Sequence, residues 1–99
     1  MKSLREIKEI LKRELPRLQT VYSVRRLGIF GSYRRGSQTP ESDLDILVEF
    51  EEPNALSLYD FIRLKNFLSE ITSCKVDLVN QKTLKPRVAE RIIKEVEMI

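Results

Sequence analysis

The sequence predicts an α/β (α+β) fold in which a small three-stranded mixed sheet is packed against helices, in the order αβαβαβα. Three observations predict it. Apolar residues recur at helical spacing over residues 4–18, 58–71 and 88–99. Apolar runs of strand length, Val24–Phe30, Leu44–Phe50 and residues 75–80, lie between them. Turn residues, chiefly Gly31-Ser32, Pro40 and Pro53-Asn54, punctuate the chain around those runs.

In chain order, Ser3 and Glu6 make a capping-box pattern ahead of Leu4, Ile7, Leu11, Leu15 and Leu18, a helix that Pro16 should end or kink near Leu15. Val24–Phe30 is a strand that runs into the Gly31-Ser32 turn, and the stretch from Ser32 to Gly36 has room for a helical turn or two. Gln38 to Ser42 is a loop. In the strand Leu44–Phe50, Leu44, Ile46 and Val48 take one face and Asp45, Leu47 and Glu49 the other; Pro53 and Asn54 close it. Leu58, Phe61, Ile62, Leu64, Leu68 and Ile71 form the wide apolar stripe of a helix. A short strand follows at residues 75–80, with Asp77 and Val79 on one face, and Val88, Ile92, Val96 and Ile99 mark a last amphipathic helix. These stripes are read as core, and Tyr22, Tyr33 and Tyr59 as partly exposed aromatics. Apolar helix faces on so small a domain also suit an interface, so a hetero-oligomer is expected.

Residues 1–99 are long enough for one domain and one core. With 41% apolar and 33% charged residues and no low-complexity segment, the chain is of the globular class. No apolar stretch reaches membrane-spanning length, and charges throughout residues 1–14 argue against a secretory signal, so a cytoplasmic protein without a membrane partner is expected. The absence of histidine removes Ser-His and Cys-His nucleophile systems and the usual mixed-ligand zinc sites. Cys74 stands alone and reads as a plain buried cysteine. Eighteen basic against 15 acidic residues give a net charge of +3, a mixed surface without a basic stripe, so nucleic acid is not the expected partner.

The chemistry is concentrated in residues 28–50. Gly31 and Ser32 can offer backbone N–H groups and a hydroxyl to phosphate oxygens where an apolar run ends. Asp43 and Asp45, two apart on extended chain, project from one face, and Asp77 on the third strand is placed to aim at the same point. Two like charges about 4 Å apart at an effective dielectric near 20 repel by roughly 4 kcal/mol, so such a cluster calls for a proton or a cation. Hard oxygen donors select Mg²⁺ or Mn²⁺, and Mg²⁺ is held by one or two carboxylates with water and substrate phosphates. A nucleoside triphosphate is therefore the expected substrate, with two ions, Asp77 completing the second site or accepting a proton. For Ser42 a turn role is preferred, and for Arg34 a solvated surface is an even alternative.

Gly31-Ser32, ten intervening residues, then Asp43-x-Asp45, with Arg35-Gly36 after the turn and Ser42 before the first acid, resembles the signature of minimal nucleotidyltransferases of the DNA polymerase beta-like superfamily. The resemblance extends to the N-terminal helix, the Val-Asp-Leu-Val strand at 76–79 and the C-terminal helix. It implies the polymerase beta-like nucleotidyltransferase fold, with Asp43, Asp45 and Asp77 as catalytic metal ligands. Gly31 and Ser32 become the phosphate-binding turn and Arg35 a triphosphate contact. Arg34 departs from the small residue common there. Several family members are antitoxins that inactivate a HEPN-type toxin by moving AMP from ATP to a tyrosine, and larger relatives carry acceptor-binding domains for which this chain leaves no room. The resemblance thus implies Mg²⁺-dependent transfer of AMP to a hydroxyl of a HEPN-type partner. Two other readings stand beside it: a binding module that neutralises a partner by surface contact, and a transferase acting on a small molecule or an RNA end.

Overall fold

The computed structural model describes residues 2–52 and 56–99; the expected turn at Pro53 and Asn54 lies outside them. Helix α1, Leu4–Tyr22, opens with the expected capping box: Ser3 Oγ accepts from the Glu6 amide and Glu6 Oε1 from the Ser3 amide. It buries Ile7, Leu11 and Leu18. Pro16 does not end it. Pro16 and Lys12, whose carbonyl loses a donor, both lie on the exposed side, where solvent can replace the missing bond. Beyond the proline, Leu18, which is fully buried, and the half-buried Tyr22, stacked on Phe67 at 5.2 Å, hold the final turn in place. Leu18→Ala should therefore cost about 2–5 kcal/mol in denaturant unfolding. A loss below about 1 kcal/mol would mean that the turn after Pro16 is not docked.

Among the described residues, four strands form one sheet in the order β3-β2-β1-β4, where β1 is Val24–Phe30, β2 Leu44–Phe50, β3 Val76–Asn80 and β4 Glu97–Met98. β1 is antiparallel to β2 and β4, and β2 is parallel to β3, so the sheet is mixed as expected. The fourth strand is the departure. The last helix, α4, covers Pro86–Glu95 and stops where Val96 turns extended, and β4 then pairs with β1 opposite Gly28. A β-carbon on Gly28 would run into Val96 Cγ2 and Met98 Sδ, so the missing side chain is what lets the chain lie there. Val96 and Ile99 consequently belong to an edge and not to a helix; the Ile99 amide donates to the Leu27 carbonyl at 2.9 Å.

The core lies between the sheet and the long helices. Val24, Leu27, Ile29, Leu44, Ile46 and Val48 from the strands meet α1 and Leu64 and Leu68 of α3, Leu58–Thr72. Leu58 and Ile62 were expected in the core but are 75% and 45% exposed. At about 100° per residue, Ile62 points roughly 200° away from Leu64, so one sheet cannot cover so wide a stripe. Tyr33 is buried and not partly exposed: the short helix turns its ring onto the core, with its hydroxyl 3.6 Å from Cys74 Sγ. Leu47 and Ile92 are buried outside this main cluster, consistent with Leu47 lying on the other face of β2 with Asp45. Among the described residues, no helix is long and apolar enough to cross a membrane.

Candidate active site

β1 delivers the chain to Gly31, which opens α2, Gly31–Arg35. Gly31 is buried with φ +74°, a conformation that L side chains rarely adopt. A β-carbon there would also collide with the Asp45 carboxylate. The turn is thus built against the acid, because Phe30 pairs with Asp45 across β1 and β2. Ser32 follows in the first turn of α2, and its carbonyl accepts from the Gly36 and Ser37 amides as the helix closes.

Asp45 pairs in register with Asp77 on β3. Its pKa is pushed from 3.8 up to about 6, first by burial, then by the charge of Asp77, a hydrogen bond with Asp77 and the charge of Asp43, while the Arg35 guanidinium pulls the other way. Asp43 stands two residues earlier, with Lys75 Nζ 4.0 Å from its Oδ1. Of the cations near the strands, Lys75 faces Asp43 and Arg26 pairs with Glu49. Ser42 is a turn residue, its Oγ accepting from the Thr39 amide at 2.9 Å.

Asp45 and Asp77 therefore meet, with Asp43 near enough to be felt. Among the described residues, no three His, Cys, Asp or Glu side chains gather tightly enough to cage a metal ion by themselves. Mg²⁺ does not require a closed protein cage. An all-oxygen pair of carboxylates in register, beside a glycine turn, suits a hard divalent ion completed by water and phosphate oxygens.

The raised pKa has a measurable consequence. Because the folded value exceeds the unfolded one, Asp45 favours the fold below about pH 4, and that contribution is lost as pH rises through about 6. Asp45→Asn should accordingly be more stable than the parent at pH 7.5, by about 1 kcal/mol after allowance for solvent screening. The gap should close by about pH 4 in thermal melts. A gap that is constant across this range would show that Asp45 carries no such strain.

Arg35, expected to face phosphate, forms an ion pair through Nη1 with Glu95 Oε1. Arg34 Nε donates to the Glu95 carbonyl at 3.0 Å and lies 3.8 Å from Glu97 Oε1. Glu97 also holds Lys8 Nζ at 2.6 Å. The sequence singles out neither Glu95 nor Glu97. The adjacent Arg34 and Arg35 on so short a helix are the local signal for nearby acids.

The nucleotidyltransferase domain family model matches residues 4–99. The protein adenylyltransferase MntA of Thermococcus cleftensis is 42% identical over 96 residues, spanning 97% of this chain and 95% of that one. A solved structure provisionally described as a minimal nucleotidyltransferase superposes with a TM-score of 0.81 at 33% identity, over 97% of this chain and 95% of its own. The fold also recurs, at 19% identity and a TM-score of 0.60, in a complex of a tri-AMPylated Shewanella oneidensis HEPN toxin with its MNT antitoxin, covering 96% of this chain and 67% of that one. The glycine turn set against paired aspartates and a family match running from the first residue of α1 to residue 99 lead to one conclusion: this chain belongs to the nucleotidyltransferase domain family, as a minimal nucleotidyltransferase.

Proposed function

We propose that the chain transfers AMP from ATP to a hydroxyl of a HEPN-type partner protein. The observation that carries this reading is the in-register pair Asp45 and Asp77 packed against Gly31. Asp43, Asp45 and Asp77 would hold Mg²⁺, which when bound offsets their repulsion and the charge of the triphosphate. Gly31 and Ser32 bind phosphate oxygens through the turn, and Arg35 contacts the triphosphate. Asp77, exposed where Asp43 and Asp45 are half-buried, takes the proton from the partner's hydroxyl. The hydroxyl oxygen then bonds to the α-phosphorus as the bond from that phosphorus to the β-phosphate bridging oxygen breaks, and pyrophosphate leaves. The name of the Thermococcus relative supports adenylyl transfer to protein, and the Shewanella complex supports a HEPN-type acceptor.

Intact-mass measurement of a HEPN-type protein co-expressed with this chain tests the acceptor. One or more added AMP units are expected with the parent chain and none with the Asp43→Asn, Asp45→Asn variant. An unmodified partner that is nevertheless neutralised by both chains would favour silencing by surface contact.

A further inference from the structure

We propose that Glu95 is a positioning residue for nucleotide binding: its carboxylate holds the Arg35 guanidinium on the Asp45 side of the glycine turn, with the rest of the fork open to the phosphates of a nucleoside triphosphate. The inference rests on the reading of Arg35 as a phosphate contact. Arg35 ends the helix that Gly31 begins, and its charge is felt by Asp45. Its side chain is 58% exposed, whereas that of Glu95 is 28% exposed, so the acid is the fixed member of the pair. The contact runs through Nη1 alone, and a guanidinium has five donors, so most of the fork remains available.

Glu95 is itself anchored. It is the last residue of α4, its carbonyl is capped by Arg34 Nε, and the chain just beyond it is pinned by β4 pairing with β1 and by the Lys8–Glu97 bridge. A mobile arginine beside a triphosphate would lose side-chain freedom on binding. One already held in place by Glu95 has lost much of that freedom beforehand.

The test measures KM for ATP and the affinity for a non-hydrolysable ATP analogue with Mg²⁺, in the full chain. Arg35→Ala and Glu95→Ala should each weaken nucleotide binding by about tenfold, and Glu95→Gln, which keeps an acceptor, should retain most of the affinity. The double variant Arg35→Ala, Glu95→Ala should be no worse than Arg35→Ala alone, because the two residues act as one unit. Unchanged or tighter binding in Glu95→Ala overturns the proposal, since Glu95 would then be idle or a competitor for the arginine. A Glu95→Ala loss that persists in the Arg35→Ala background overturns it too, as an effect on the fold. If Arg35→Ala binds normally, the assignment of Arg35 falls and this proposal with it. A loss in Arg35→Ala without one in Glu95→Ala removes this proposal alone.

Discussion

The Asp43→Asn, Asp45→Asn variant is expected to lose at least about a thousandfold in transfer rate while it folds as the parent does. The loss follows from the chemistry of the donors: an amide offers a neutral oxygen where a hard cation requires charge, so the variant has little means of neutralising a triphosphate. Retained folding follows from position. Neither side chain belongs to the hydrophobic cluster, and Asp45 is held in a place that raises its pKa to about 6. Removing a carboxylate that the fold disfavours at neutral pH should stabilise the protein, as active-site residues often trade stability for function. The check is a transfer assay paired with a thermal melt on one preparation. Loss of activity with a raised or unchanged melting temperature is expected. Retained turnover would remove the metal-ligand role of these acids.

Gly31→Ala should be the most damaging single-methyl change in the chain. It combines two costs at one atom: about 1–2 kcal/mol for an alanine held at positive φ, and about 1–3 kcal/mol for overpacking against the Asp45 carboxylate. The added carbon cannot be accommodated unless Asp45 moves, and a displacement on the order of 1 Å at a reacting centre costs on the order of a hundredfold in rate. Gly36→Ala is the control. It shares the positive φ, but nothing lies within 4 Å of its β-carbon position, so it should pay only the backbone cost and keep most of its activity. Equal activity losses in the two variants would mean that the approach of Gly31 to Asp45 is unimportant.

The sequence made the candidate site more legible than the edges of the fold. Gly31, Asp43 and Asp45 could be found because a glycine that must take positive φ, and acids with no reason to repel one another in a structural role, leave a spacing that few other demands produce. Strand alternation placed Asp77 on the correct face, and the parallel pairing of β2 with β3 sets it beside Asp45. What was hidden depends on tertiary contacts. Pro16 carries a local signal to stop a helix, which buried Leu18 and the Tyr22–Phe67 stack override. The two-residue strand at Glu97–Met98 has no pattern of its own and exists because Gly28 leaves room on β1. The pairing of Arg35 with Glu95 joins residues 60 positions apart, which no local spacing encodes.

The most direct test of the account is label transfer in a lysate of the source organism, with ATP labelled at the α- or the γ-phosphate and the Asp43→Asn, Asp45→Asn variant as control. Transfer of nucleotide predicts that α-label alone appears on a macromolecule of the size of a HEPN-type partner, that it needs a divalent metal ion, and that it is absent with the variant. The contradicting result is γ-label on the acceptor, or α-label that persists when both aspartates are replaced.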